Sequence, residues 1–266
     1  MNTRSLPAAV VALAGTLLSA SACSKEGPPA EAPPGTPPVV ETPLDPQDVV
    51  ERITLAPHGV AAASGEEVEA LAKRIQEDPG RYVPVLEGYL DLGRWIKTDD
   101  LEARRRAANA AVVLVEHGGE AGRAAAAAAL GAILAEQEVV AARRAERVAG
   151  LRRETVREDE LAEVRHLDRD LGALTELRNT IVRSLQNVGD PRSAQLLVGH
   201  LAANVDGLQA IAVPYLMETA ADDPEVRAAL RRLAGDPRSS FYRNQGLESF
   251  LAGRPRGRSP GQEPPR

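Results

Sequence analysis

The pentapeptide Gly-Asp-Pro-Arg-Ser occurs twice in the chain, within LTELRNTIVRSLQNVGDPRS (residues 174–193) and DPEVRAALRRLAGDPRS (residues 223–239). The two copies begin at residues 189 and 235, which are 46 positions apart. Apolar residues at three- and four-residue steps precede each copy, and this is the period of a helix with one buried side. A spacing of this size is typical of structural repeats built from two helices.

The dipeptide Asp-Pro marks four expected helix starts. An Asp side chain can accept hydrogen bonds from the unpaired N–H groups of a first helical turn. Proline at the next position loses nothing there, because its missing N–H would have no partner. The predicted N-terminal caps of the repeat helices are Asp78, Asp190, Asp223 and Asp236.

No segment alternates apolar and polar residues for long enough to predict a strand, so we expect an all-α fold over residues 47–252. The order of Asp-Pro-Glu-Val-Arg, apolar helix, Gly-Asp-Pro-Arg and apolar helix resembles HEAT-like repeats of the phycobilisome-lyase type. The resemblance is closest over residues 174–251 and looser over residues 78–135. It implies an α-solenoid of helical hairpins whose neighbours bury each other's apolar faces, with repeat number and register left open.

Residues 136–170 fit no standard repeat and are predicted to be a long charged helical insertion. The segment begins basic and turns acidic. It is either a solvated, salt-bridged helix or helical hairpin, or an arm that binds a partner, and the sequence favours neither decisively. The candidate partner-binding residues of the arm are Arg143, Arg144, Arg147, Arg152 and Arg153.

Residues 1–22 have the pattern of a secretory signal peptide. Arg4 gives a short positive start, and an apolar run rich in Ala, Val and Leu covers residues 6–20. The run is too short to cross a bilayer, which needs roughly 20 apolar residues. We therefore exclude this segment from the folded region.

The apolar run leads to LLSASAC (residues 17–23), in which Cys23 is the only cysteine of the chain. This ending resembles the lipobox of bacterial lipoproteins, although Ala20 stands where the family usually has leucine. The resemblance implies cleavage after Ala22 and lipidation of Cys23. Ser24, where some inner-membrane lipoproteins have aspartate, favours by the same resemblance the outer membrane, facing the periplasm. The alternative is an ordinary signal peptide cut after Ala-Ser-Ala, which would leave a free thiol.

Both ends of the expected folded region have compositions that cannot bury a core. Residues 23–46 begin with the lipidated cysteine and continue as a Pro-rich tether, which in a polyproline II conformation would reach on the order of 70 Å. The alternative for this tether is a docking site for a proline-recognising partner. Residues 253–266, GRPRGRSPGQEPPR, are predicted to be a disordered basic tail, with weak contact to anionic lipid or sugar as the alternative.

The composition and motifs exclude several classes of function. A net charge of -6 and 3% aromatic residues argue against nucleic-acid binding. Glu163 and His166 have the spacing of a di-iron helix, but no second such pair is present. Residues 112–122 could mimic a strand, glycine loop and helix, yet the helical stretch before them favours a glycine-broken helical hairpin. We expect no catalytic residues, no cofactor and no metal.

Taken together, the sequence predicts a non-enzymatic, membrane-anchored scaffold or adaptor. Its helical-repeat surface would bind another protein of the cell envelope, and the lipid anchor would hold it at the membrane. One alternative is a structural envelope lipoprotein that binds cell wall or polysaccharide, for which the basic tail is the support. The other is a lyase-like enzyme subunit, for which neither a second cysteine nor an acid–base cluster is present.

Overall fold

The computed structural model of the protein describes residues 45–55, 65–151 and 158–253. These residues form helices joined by short turns, and no strand occurs among them, so the all-α prediction is confirmed. The predicted signal peptide, the cleavage and lipidation positions, nearly all of the tether and the tail from residue 254 lie outside the described residues. The helices are α1 (Pro46–Leu55), α2 (Gly65–Glu77), α3 (Pro79–Glu87), α4 (Leu101–His117), α5 (Gly119–Gly150), α6 (Glu158–Asn187), α7 (Ala194–His200), α8 (Leu208–Thr219), α9 (Pro224–Gly235) and α10 (Gln245–Leu251).

Helix α4 is the centre of the first half of the molecule. It packs against α1, α2, α3, α5 and α6. Its buried side is made largely of alanines, among them Ala107, Ala110 and Ala111, which are all fully buried. Small side chains let neighbouring helices approach closely, so one helix can contact five others.

The turn between α4 and α5 is the glycine-broken helical hairpin predicted over residues 112–122, and the structure confirms it. Gly119 has a φ of +62°, in the left-handed region that glycine adopts readily. A Cβ at Gly122 would lie 2.2 Å from the carbonyl oxygen of Leu114. Only glycine fits at this position, because the backbone of α5 passes directly over the end of α4.

The second half of the molecule is packed differently, with each helix contacting helices one or two places away in the chain. Helix α6 contacts α8, α7 contacts both α8 and α9, and α9 contacts α10. The core is nevertheless continuous, since the buried residues from α1 to α10 form a single cluster.

The four aspartates predicted to be helix caps behave in different ways. The Asp223 side chain accepts hydrogen bonds from the backbone N–H groups of Glu225 and Val226, at 2.8 and 3.2 Å, and so caps α9 as predicted. Asp78 directly precedes α3, but its side chain makes no capping hydrogen bond.

For Asp190 and Asp236 the prediction of a helix N-terminal cap is wrong. Asp190 lies just past α6: its N–H donates to the Leu185 carbonyl after the left-handed Gly189, and α7 begins only at Ala194. Asp236 ends α9, and the next helix begins nine residues later with Asn244 as its cap. In both cases the carboxylate accepts from the N–H two residues on, because Asp-Pro forms tight turns as readily as helix starts.

The predicted charged insertion is helical but is not a separate element. Residues 136–150 form the distal part of α5, and residues 158–170 form the first part of α6. The two helices pack against each other along their length. The segment is therefore the far end of a long helical hairpin whose near end belongs to the core.

Candidate functional site

The far end of the α5–α6 hairpin, residues 136–150 and 158–170, is here called the hairpin arm. No residue in 141–150 or 158–166 is buried. The Arg147 guanidinium donates to the Glu163 carboxylate at 2.9 Å, and Arg144 pairs with Asp168. The hydrogen bond to Asp168 raises the pKa of Arg144. Basic and acidic halves of the arm thus neutralise each other across the hairpin.

The candidate partner-binding residues of the arm divide into three groups. Arg144 and Arg147 are the two that pair across the hairpin. Arg143 lies exposed on α5, while Arg152 and Arg153 lie outside the described residues. Of the three that the structure describes, Arg144 and Arg147 therefore hold the two helices together, and Arg143 is exposed.

Polar contacts tie the base of the arm to the rest of the molecule. Lys97 donates to Glu136 at 2.7 Å, and these side chains are 30% and 28% exposed. The His200 ring and the Glu138 carboxylate lie 2.6 Å apart, which links α7 to α5. The arm therefore starts from a firmly attached base.

A second feature of α5 is an exposed stripe that carries no charge, here called the alanine face. At 3.6 residues per turn its members fall within an arc of about 80°, and they extend over about 32 Å of helix. Along residues 121–142 the one exposed residue of α5 outside the face is Glu138. The face consists of Ala121, Ala124, Ala128, Ala132, Ala135, Val139 and Ala142.

The edge of the alanine face is also apolar. Leu196 of α7 is 37% exposed, and Val139 is 46% exposed. A Cβ added at Gly131 would lie 3.6 Å from the Leu196 side chain, so α7 borders the face at mid-length. Contiguous apolar surface of this kind is typical of surfaces that contact another molecule.

Helix α5 is long and apolar enough to cross a membrane by length and composition alone. However, 44% of its most apolar 18-residue window is buried inside the protein. Leu130, Ile133 and Leu134 on the side opposite the alanine face are at most 2% exposed. Burial of one side is typical of a core helix of a folded domain. The alanine face is the side of α5 that the rest of the protein leaves exposed.

A buried arginine joins the arm to the second half of the molecule. Arg178 of α6 is 1% exposed and is among the largest fully buried side chains of the described residues. Its guanidinium donates to Gln137 at 3.2 Å and to the backbone carbonyls of Val205 and Asp206, at 2.9 and 3.0 Å. Burial lowers the pKa of Arg178, since desolvation penalises the charged form.

The loop that Arg178 holds has an unusual backbone. Asn204, Asp206 and Gly207 all have φ between +45° and +68°, in the left-handed region. Asp206 also accepts a hydrogen bond from the Thr175 hydroxyl at 3.1 Å. A cleft of about 560 Å³ lies on one side of the loop, between the loop and the base of the arm. Sequence reasoning missed this junction, because an arginine in a helix normally predicts an exposed position.

The histidines and carboxylates of the described residues are dispersed rather than clustered. The described residues contain no cluster of three or more His, Cys, Asp or Glu side chains that could hold a metal ion. His166 lies 3.6 Å from Asp170 on the same helix, and His117 contacts Gln76 at 2.9 Å. Glu163, the other half of the Glu-x-x-His spacing, is bound to Arg147.

Comparison with known proteins found no match. No family model matches the chain, and neither a curated protein nor a solved structure is significantly similar to it. The resemblances to HEAT-like repeats and to the lipobox therefore rest on the residues quoted for them.

Proposed function

We propose that the protein is a non-enzymatic adaptor that binds another protein through the alanine face of α5. The single observation that carries this proposal is the face itself, an uncharged stripe about 32 Å long on a helix whose opposite side is the core. A partner helix could lie against it closely, because alanine side chains keep the two backbones only a small distance apart. Covering the face would remove apolar surface from water.

The hairpin arm continues α5 beyond the part of the helix that the core covers. Its ion pairs, Arg144 with Asp168 and Arg147 with Glu163, hold α5 and α6 together where the core no longer does. Exposed pairs of this kind are individually weak, so the arm would loosen at high salt. We assign the arm the role of supporting the end of the alanine face. Arg143, which is exposed, is the candidate on the arm for contact with the partner.

The arrangement of helices is proposed to be an irregular α-solenoid. Contacts between alternate helices, α4 with α6, α6 with α8 and α7 with α9, support this. So do the two copies of Gly-Asp-Pro-Arg-Ser, which both follow a helix of the second half. The first half departs from a solenoid, since α4 contacts five helices there.

The cellular location of the protein is proposed from the sequence alone. Lipidation of Cys23 would anchor the chain in the bacterial cell envelope, at the outer membrane and facing the periplasm, and the Pro-rich tether would raise the helical region above the lipid. Replacing Cys23 with alanine is expected to release the protein from membranes. Retention of the C23A variant through salt washes without detergent would contradict the anchor.

The test of the binding face is site-specific photo-crosslinking in cells. A photoreactive amino acid replaces Ala128 or Ala135 on the alanine face, or Ala70 on the exposed side of α2 as the matched control. We expect one abundant protein to be crosslinked from both positions of the face and not from Ala70. Ala132→Glu should abolish that product, because it would bury a charge in the interface.

Two results would contradict the proposal. Identical crosslinking profiles at the alanine face and at Ala70 would show that the face is not a binding surface. Crosslinks that contain only peptidoglycan or polysaccharide would favour the structural envelope lipoprotein instead.

A further inference from the structure

A smaller cleft, of about 320 Å³, lies between α6 and α8, on the side of the Asp206 loop that faces away from the arm. Its α6 wall is polar, and the members of this wall are three or four residues apart, so they share one side of the helix. They are Asn179, Arg183 and Gln186. The α8 wall carries no charge and is made of Ala210, Ile211 and Pro214. A ligand that fills this cleft therefore needs a polar side and an apolar side.

The buried arginine Arg178 also lines this cleft, although it is only 1% exposed. Its five hydrogen bonds all end on neutral oxygens, and two of them go to the Asn179 side-chain oxygen, at 3.1 and 3.0 Å. Asp206 is the one carboxylate among the described residues of the lining, and it accepts a hydrogen bond from Thr175, which lines the larger cleft. A buried charge that no direct contact neutralises is costly, so the positive potential of Arg178 favours an anion in the cleft.

Two side chains of the α6 wall have N–H donors for such an anion. The Asn179 oxygen accepts twice from Arg178, so the NH₂ group of the same amide is directed away from that arginine. Arg183 is exposed and makes no ion pair with any residue that the structure describes. Gln186, by contrast, already donates to Glu218. Asn179 and Arg183 can therefore hold a carboxylate together, and the hydrogen bonds would be charge-assisted.

The α8 wall has an acceptor without its usual donor. Pro214 lies inside α8 and has no N–H, so the carbonyl of Ala210, one turn earlier, lacks its regular helical hydrogen bond. Both residues line the cleft and are exposed. The backbone of a peptide can supply an N–H to this carbonyl, whereas a fatty acid anion has none to donate. A free phosphate has no apolar part to cover Ile211 and Pro214.

We propose that this cleft binds a short acidic segment of a partner protein, whose carboxylate pairs with Arg183 and Asn179. An apolar side chain of the segment covers Ile211 and Pro214, and a backbone N–H of the segment donates to the Ala210 carbonyl. The α8 wall extends over roughly 10 Å, which is the length of about three extended residues. The site is separate from the alanine face, so failure of either proposal would leave the other standing.

The test is an NMR titration of the full chain in non-ionic detergent micelles. The probes are the blocked peptide acetyl-Ala-Glu-Ala-Leu-Ala-amide and the same peptide with glutamine in place of glutamate, and the comparison anions are decanoate and inorganic phosphate. Glutamate and leucine two residues apart point to the same side of an extended peptide. We expect the glutamate peptide to shift the amide signals of Asn179, Arg183 and Ile211. It should bind about tenfold more tightly than the glutamine peptide, because hydrogen bonds to a charged acceptor are the stronger ones.

Two variants test the two walls, and thermal unfolding shows that each is folded. Arg183→Gln should weaken binding of the glutamate peptide about tenfold. The matched control is Arg231→Gln, at an exposed arginine of α9 that has no ion pair among the described residues, and it should leave binding unchanged. Pro214→Ala supplies the missing N–H to the Ala210 carbonyl from within the helix, so the peptide loses an acceptor and should bind about fivefold more weakly.

Three outcomes would overturn the proposal. The first is equal affinity for the glutamate and glutamine peptides, since the cleft would then not recognise a carboxylate. The second is an equal loss in Arg183→Gln and Arg231→Gln, which would reduce the effect to the net charge of the protein. The third is the absence of shifts at the cleft with millimolar glutamate peptide. Shifts with decanoate or phosphate in that case would identify a small anion as the ligand.

Discussion

The two copies of Gly-Asp-Pro-Arg-Ser share a local structure and differ in their surroundings. In each copy the aspartate carboxylate accepts a hydrogen bond from the backbone N–H two residues later, at 2.9 Å in both. In the first copy the Asp190 side chain is 5% exposed, whereas the Asp236 side chain of the second copy is 39% exposed. The local sequence therefore produces the turn, and the neighbouring helices decide whether it becomes part of the core.

The partners of the two aspartates explain the difference. Arg123 of α5 pairs with the Asp190 carboxylate at 3.0 Å, and the Tyr215 hydroxyl of α8 donates to the Asp190 carbonyl. Among the described residues, Asp236 has an ion pair only with Arg238 of its own turn, and the Arg238 side chain is 91% exposed. The aspartate of the first copy joins three helices, while the aspartate of the second lies at the surface.

The serines of the two copies differ in the opposite sense, because the serine of the second copy is the one that makes side-chain hydrogen bonds. Ser239 donates to Gln209 at 3.1 Å and accepts from the Phe241 N–H at 3.0 Å. Ser193 is fully buried, but its hydroxyl has no hydrogen-bond partner among the described residues. The first copy is thus held through its aspartate and the second through its serine.

The largest expected effect comes from the aspartates. Asp190→Ala should lower the free energy of unfolding by about 2 kcal/mol, because it removes a buried carboxylate and leaves Arg123 unpaired. Asp236→Ala, the matched control, loses the same turn hydrogen bond in an exposed position and should cost much less. Urea unfolding of both variants measures the difference, and equal losses would show that the surroundings of the two copies do not matter.

For the serines we expect the larger loss of stability in the second copy. Ser239→Ala should destabilise the protein by about 1 kcal/mol, since Gln209 and the Phe241 N–H each lose a partner. Ser193→Ala removes a hydroxyl without a partner and should leave stability unchanged or slightly increased. Thermal unfolding of the pair gives the comparison. A larger loss from Ser193→Ala than from Ser239→Ala would refute it.

Tyr215→Phe tests the contact that only the first copy has. We expect a loss of about 1 kcal/mol, because the Asp190 carbonyl would remain buried without its donor. Burial raises the pKa of the Tyr215 hydroxyl above its ordinary value of about 10. The folded state therefore holds this proton more tightly than the unfolded state, and stability should fall as the pH rises above about 10.

The unfolding midpoint as a function of pH checks this effect. The alkaline loss should be smaller in the Tyr215→Phe variant than in the unmodified protein. An identical profile in the two proteins would mean that the pKa of Tyr215 is the same in the folded and unfolded states, and would contradict the raised pKa.

The smallest expected effect concerns the second copy at acid pH. The hydrogen bond from the Arg238 N–H lowers the pKa of Asp236 below its usual value. The stabilisation linked to this group is present above about pH 4 and is lost as the pH falls through the lowered pKa. Titration by NMR should show the lowered value. An Asp236 pKa at or above that of an exposed aspartate would contradict the turn geometry.

Part of this molecule was predictable from short stretches of sequence. The helical period predicts the all-α fold, the glycines at 118 and 119 predict the break between α4 and α5, and Asp223-Pro224 predicts the start of α9. Each of these depends on residues within one or two turns of each other. Asp190 and Asp236 were predicted wrongly, because an Asp-Pro turn and an Asp-Pro helix start look alike in sequence.

The alanine face and the burial of Arg178 were far less predictable from the sequence. Alanines occur on nearly every side of α5 from residue 121 to 135, so no apolar stripe reveals which side is covered. In the sequence, Arg178 looks like any exposed arginine of a helix. In the structure it is buried, because the loop around Asp206 packs over it. In both cases the deciding contacts come from helices distant in the chain.

The sequence by itself determined the helices and the break at the α4–α5 glycines, since these depend on backbone conformation and on nearby hydrogen bonds. The tertiary structure alone decided which aspartate is buried, which arginine lies in the core and which side of α5 faces water. Burial depends on what other helices cover, and identical residues take different roles when their neighbours differ.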